Sequence, residues 1–106
     1  MSEATYYVLA ALLDERLHGY GIVKKAEDVS GGSVRLTTGT LYGALDRLVA
    51  QGLVRPDGEE EVAGRLRRYY RITDAGVEAV RAEAERMRRA VKAVSAHRSA
   101  LEGGAR

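Results

Sequence analysis

Four arginines, Arg65, Arg67, Arg68 and Arg71, fall within one short stretch with no acid among them, the densest positive charge in the chain. Such a run suits a phosphate-rich partner, because each side chain that neutralises a phosphate also releases its counterion. The competing reading is a solvated strand pair in which neighbouring Glu59, Glu60 and Glu61 cancel the arginines. A second feature favours the phosphate. Thr37-Thr38-Gly39-Thr40 reads as a helix start, and the free N–H groups there attract anions. Catalysis has far less to work with. His18 and His97 are the only histidines and lack metal-ligand spacing, and the absence of cysteine removes thiol chemistry and Cys-ligated metals. His18 reads as a capping or packing residue at a helix end, and His97 as a solvated helix residue. A salt-bridged hairpin strand explains Glu59-Glu60-Glu61 better than a cation site does. Gly19 and Gly21 lack the preceding strand and the third glycine of a phosphate-binding loop. No catalytic residue, metal or cofactor is expected.

The 106 residues suffice for one domain with a modest core. Lys and Arg number 17 against 15 Asp and Glu, so at net +2 the whole chain is no polycation. Residues 1–53 hold five basic and six acidic side chains; residues 54–106 hold twelve and nine. No apolar run approaches the ~20 residues that span a bilayer, and no signal peptide opens the chain. A cytoplasmic location without membrane contact is expected. With six Tyr and neither Phe nor Trp, every buried aromatic ring brings a hydroxyl that needs a partner.

The elements that must position these residues follow from periodicity. Residues 4–15 (ATYYVLAALLDE) are too long and apolar for a strand and read as a buried helix, the chain turning near His18-Gly19. A second helix is expected from Tyr20 to Val29, broken by Ser30-Gly31-Gly32-Ser33. In the third, Thr37 or Thr38 is the cap. Leu41, Leu45, Leu48 and Val49 form the buried stripe, and Gly52 is the terminating glycine. Its other face carries Gly39, Thr40, Gly43, Asp46, Arg47 and Ala50, small or polar enough for close approach. Leu53-Val54-Arg55 starts a strand and Leu66 to Thr73 forms another. A turn at Ala63-Gly64 would set Glu60 opposite Arg67 and Glu59 opposite Arg68, with Asp57-Gly58 as the competing turn. Pro56 confines the first strand to an edge or a bulge. From Asp74 one long helix bears Val77, Val80, Ala84, Met87, Val91, Val94 and Leu101 at alternating three- and four-residue spacing, broken by Arg98. Such a seam wants a partner helix, and Gly103-Gly104-Ala105-Arg106 reads as a disordered tail. Two helices followed by a basic hairpin make a helix-turn-helix with a wing.

Three motifs carry a resemblance across about residues 5–80. They are His18-Gly19-Tyr20-Gly21-Ile22; then Gly39-Thr40-Leu41-Tyr42 through Leu45, Arg47-Leu48 and Gly52-Leu53; then Arg68-Tyr69-Tyr70-Arg71-Ile72-Thr73-Asp74-Ala75-Gly76. In order and spacing the chain resembles the PadR family of bacterial transcriptional regulators. The resemblance implies a winged helix-turn-helix, a homodimer, and repression of a promoter relieved by a small molecule. It also implies the branch with a single helix after the wing. Phenolic acids and flat cationic drugs are the effector types it brings. Thr38 and Gly43 stand where the family often has Pro. Thr38 still serves a helix start, whereas Gly43 costs ~1 kcal/mol of helix propensity against Ala and either loosens the helix or lets DNA closer.

The expected fold class is mainly α (α+β): a winged helix-turn-helix DNA-binding domain over 1–74 and a dimerisation helix over 75–102. Leu9, Leu12, Leu13, Ile22, Val23, Leu41, Leu45, Leu48, Tyr70 and Ile72 form the expected core. Thr37, Thr38, Thr40, Tyr42 and Arg47 would face the major groove of double-stranded DNA or its flanking phosphates. Tyr20 and Lys24 would touch the backbone, and Arg65, Arg67 and Arg68 would serve the wing. Because Arg67 and Arg68 point to opposite faces, one is expected at a phosphate and the other paired with Glu59 or Glu60. Asp46 belongs on the outer half of its helix or beside an arginine. Tyr6 or Tyr7 would wall a pocket for a small aromatic effector between the first and last helices. The expected partners are an inverted-repeat operator and a second copy of the chain. The alternative is a dimeric ligand- or protein-binding winged module that binds no DNA.

Overall fold

The computed structural model describes the backbone of residues 1–104 and the side chains through His97. Among these residues the order is α1 (Glu3–Ala11), β1 (Leu17–His18), α2 (Gly19–Val29), α3 (Thr38–Ala50), β2 (Val54–Val62), β3 (Arg65–Ile72) and α4 (Asp74–Gly104). The three strands form one antiparallel sheet in the order β1-β3-β2. The chain is thus a mainly helical α+β fold in which α1, α2 and α3 pack around Leu9, Leu12, Ile22, Leu41, Leu45 and Leu48.

Helix α1 stops at Ala11 rather than running to residue 15. Its last turn tightens, with Leu12 N–H on the Leu9 carbonyl and Leu13 N–H on that of Ala10. Leu13 consequently swings out of the core and is 43% exposed. The polar Asp14-Glu15-Arg16 turn then delivers Leu17 and His18 to β3, opposite Tyr70 and Tyr69. His18 therefore ends a strand and precedes α2, where its side chain makes no capping hydrogen bond.

Thr37 is the cap of α3, its Oγ1 accepting from the Thr40 N–H at 3.2 Å. At the other end Gly52, at φ +74°, lets its N–H reach the Val49 carbonyl and that of Leu53 reach Leu48, closing the helix. Ala44 takes the interior place that spacing suggested for Val49, which is exposed. Val34 and Leu36, on the loop before α3, add to the core.

The hairpin turns at Ala63 (φ 52°) and Gly64 (φ 77°), both left-handed as a two-residue turn requires. Glu60 faces Arg67 and Glu59 faces Arg68. Asp57-Gly58 is no turn: it lies inside edge strand β2, where the register shifts between Pro56 and Glu59. Pro56 thus sits on an edge and beside a bulge, both places where its missing donor costs no ladder bond.

Thr73 joins wing to helix. Its N–H and Oγ1 donate to the Leu53 and Gly52 carbonyls, and Oγ1 accepts from the Gly76 N–H. A Cβ on Gly76 would collide with the Leu53 carbonyl, so this junction admits only glycine at full closeness. Along α4 the seam divides. Val80 is in the core and Val77, Ala84 and Met87 are half-buried, while Val91 is 64% and Val94 70% exposed. The Leu101 side chain lies outside the described ones. Gly103 and Gly104 are helical rather than a loose tail, and Ala105-Arg106 lie outside the described residues.

Candidate nucleic-acid interface

The exposed side of α3 carries Thr38, Gly39, Thr40, Tyr42, Asp46, Arg47 and Ala50, with Gly43 half-buried. At its N-terminus the Thr37 and Thr40 hydroxyls bond each other at 3.0 Å, holding two polar groups at the end that favours anions. One turn on, Tyr42 leans against α2. A Cβ at Gly19 would lie 2.6 Å from the Tyr42 hydroxyl, so this glycine is what admits the ring.

Tyr42 floors a cleft of about 460 Å³ between the start of α2 and the wing, walled by His18, Tyr20, Arg65, Leu66, Arg67 and Arg68. A second depression of about 510 Å³ shares Tyr20, Tyr42 and Arg65 and adds Thr38. Tyr20, Thr38, Tyr42, Arg65, Arg67 and Arg68 thus border one continuous trough. Lys24 stands one turn beyond Tyr20, its Nζ 5.7 Å from the ring centre. Arg47 lies apart. It lines a separate hollow with Met1, Ser2, Thr5 and Gln51 on the α1 side of α3.

The wing's charges are not equivalent. Arg68 Nε lies 3.6 Å from Glu59, and Arg71 donates to Asp57 at 2.9 Å. Arg65 and Arg67 have no ion-pair partner among the described residues. Glu60, opposite Arg67, instead accepts a hydrogen bond from the Tyr69 hydroxyl at 3.2 Å. Arg65, Arg67 and the Glu59-paired Arg68 all line the trough, so two of its three guanidiniums are unpaired among the described residues. Asp46 faces the wing in a shallow groove with Tyr42, Leu66, Arg68 and Tyr70, without an ion pair to Arg68.

His18 and Leu66 are trough residues that sequence reasoning assigned no contact. His18 stands edge-on to Tyr69 at 5.6 Å. Burial, and then the Arg67 charge, push its pKa below the ordinary value, against the opposite pull of Glu60. Leu66 is 67% exposed between two arginines. Alternation along β3 already turns it toward the side that faces α3, which was the available signal.

On the opposite side, Tyr6 and Tyr7 meet edge-to-face at 5.2 Å. With Met1, Glu3, Glu83 and Met87 they line a hollow of about 250 Å³ between α1 and α4. No helix among the described residues is long and apolar enough to cross a membrane.

The model of the transcriptional regulator PadR-like family matches residues 8–82. Over 88 residues the chain is 48% identical to an uncharacterized 37.1 kDa protein in transposon TN4556 of Streptomyces fradiae, covering 83% of this chain and 24% of that one. It is 37% identical over 70 residues to a transcriptional regulator of Mycobacterium tuberculosis, covering 66% and 62%. The chain therefore spans less than two thirds of the length of either relative. A transcriptional regulator from Clostridium thermocellum shares the fold at TM-score 0.73 and 25% identity, covering 86% of this chain and 88% of that one. PadR of Bacillus subtilis, solved in complex with operator DNA, superposes at TM-score 0.66 and 20% identity, covering 76% and 45%.

Proposed function

Because the chain belongs to the PadR-like family of transcriptional regulators, we propose that it binds an inverted-repeat operator in duplex DNA as a homodimer and represses the adjacent promoter. The observation that carries this reading is the trough. A polar, small-residue helix face with an anion-favouring start lies next to two arginines without carboxylate partners among the described residues. A recognition helix in the major groove with a wing on the flanking backbone needs this combination. The operator-bound Bacillus subtilis relative supports the same partner here. In this reading Thr37, Thr38, Thr40, Tyr42 and Arg47 serve the groove or its edges. Tyr20, Lys24, Arg65 and Arg67 serve phosphates, and Arg68 does so at the cost of its Glu59 pair.

Residues 1–74 form the DNA-binding unit and 75–102 the dimerisation helix, which borrows Val80 for the core of the first. The second copy covers Val91 and Val94, which stay largely exposed among the described residues. A small aromatic effector held by Tyr6 or Tyr7 between α1 and α4 releases the DNA. The protein acts in the cytoplasm, where the chromosome lies.

One observation favours the non-DNA alternative: Glu59 and Asp57 neutralise Arg68, Arg71 and Arg55. A titration of labelled duplex from the DNA flanking the gene, against random duplex and across salt concentrations, separates the two. Nuclease protection of an inverted repeat supports the proposal. Absence of duplex binding at low salt overturns it.

A further inference from the structure

Three arginines converge on one acid at the root of the wing. Arg71, on β3, donates to Asp57 Oδ2 at 2.9 Å, and Arg55, on β2, lies 3.5 Å from Oδ1. Arg16, from the turn after α1, donates to the Asp57 backbone carbonyl at 2.8 Å. The same Arg16 guanidinium lies over the Tyr69 ring, 4.4 Å from its centre. Asp57 occupies the bulge, where β2 slips register against β3 and Gly58 takes φ +86°. A Cβ on Gly58 would come 3.3 Å from Arg16 Nη1, so the glycine also leaves room for that guanidinium.

Bulges bend a strand and redirect what lies beyond them. Here that is the projecting part of the hairpin, residues 59–68, with Arg65 and Arg67. Arg55 and Arg71 are directly opposed in the register, a like-charge pair that would spread the strands without a carboxylate between them. Asp57 supplies that carboxylate, and its carbonyl ties the bulge to the turn between α1 and β1. We propose that Asp57, held by Arg16, Arg55 and Arg71, is a positioning residue that sets the angle of the wing over the trough. The inference rests on the DNA-binding reading given above.

The proposal makes a prediction opposite in sign to simple electrostatics. Asp57→Asn removes a negative charge from a phosphate-binding element, so charge alone predicts tighter binding to DNA. Misplacing the wing instead loses a phosphate contact, worth about 0.9 in the slope of log K against log salt and about fivefold in affinity near 0.15 M salt.

The expected result is therefore about fivefold weaker operator binding with a shallower salt slope, and recovery in Asp57→Glu, which keeps a carboxylate. Amide hydrogen exchange of the DNA-free protein gives a second readout. In both Asp57→Asn and Arg16→Met, amides of residues 59–68 should exchange faster while those of α1 and α3 stay as in wild type. Tighter or equal binding by Asp57→Asn, when wild type binds, overturns the proposal. If wild type binds no duplex, the DNA reading fails, and hydrogen exchange decides the wing's tether alone: unchanged wing exchange in both variants overturns it.

Discussion

Removal of Arg67 and removal of Arg68 should have unequal consequences, although the two are neighbours of identical chemistry. Arg67 has no ion-pair partner among the described residues, so a phosphate can take it without breaking a contact. One phosphate contact carries a slope of about 0.9 in log K against log salt, or about fivefold between about 1 M and about 0.15 M salt. Arg67→Ala should thus cost about fivefold at 0.15 M and lower the slope by ~0.9. Arg68 starts from a Glu59 partner at 3.6 Å, with the two side chains 61% and 47% exposed. Giving up so exposed a pair costs at most about fivefold, which offsets most of what a phosphate would return. Arg68→Ala should therefore change affinity by less than about twofold. Glu59→Gln should tighten binding, and in that background Arg68→Ala should become as costly as Arg67→Ala. Fluorescence anisotropy of operator and random duplexes over a salt series measures all four variants. The ratio of operator to random affinity should hold throughout, because phosphate contacts carry no direct sequence information. If Arg68→Ala alone lowers the slope while Arg67→Ala leaves it unchanged, the assignment of the free arginine is wrong.

The seam of α4 gives a second test. Val94→Asp adds a charge at a position 70% exposed in the single chain, and should yield monomers by sedimentation at micromolar concentration without loss of helix signal. A stable dimer would move the interface elsewhere. Tyr6→Ala and Tyr7→Ala should each weaken binding of a planar aromatic, read by tyrosine quenching or calorimetry, while dimerisation persists; wild-type binding in both places the effector outside the α1–α4 hollow. His18 should titrate below 6.5 in NMR spectra of the free protein. Arg67→Ala should raise its pKa and Glu60→Gln lower it further. Since the folded value is depressed, the neutral imidazole favours the fold. Its share of stability is present above 6.5 and is lost as the pH falls from there through the folded pKa. A pKa at or above 6.5 would contradict the burial of the imidazole first, and with it the placement of Arg67 nearby.

Elements with a periodic or capping signal were legible in the sequence. The Thr37 cap, the Gly52 stop, the Ala63-Gly64 turn and the Glu–Arg register each follow from two or three residues acting locally. Strand β1 was not, because two residues have no period and only β3 makes them a strand. The end of α1 shared that fate: Leu12 and Leu13 continue the apolar run, yet the chain must turn there to reach β3. In the trough, alternation on β3 separated Arg67 from Arg68 but left open which was paired. Settling that required Tyr69 holding Glu60 and the bulge drawing Asp57 toward Arg71 and Arg55, contacts made across strands.

Gly43 and Gly39 differ from most other glycines of the fold in having no reason inside it. Gly52, Gly58 and Gly64 take left-handed backbone, and Gly19 and Gly76 admit a neighbour at close range. Gly43 is helical, and a Cβ there would meet only Arg47 Nη1 at 3.7 Å, an ordinary contact; at Gly39 it would meet nothing. Both lie one turn apart on the face of α3 that carries Thr40 and Arg47. A helix interior that forgoes Ala for Gly gives up ~1 kcal/mol, so the compensation should come from outside the chain, where backbone approaches most closely to a partner. Gly43→Ala is therefore expected to raise the unfolding free energy by about 0.5–1 kcal/mol in urea denaturation and yet to weaken operator binding. An increase in stability with unchanged affinity would reduce Gly43 to a helix defect. A loss of both would mean that Arg47, folded back along the helix, needs the space itself. Only the opposed signs place the duplex against this face.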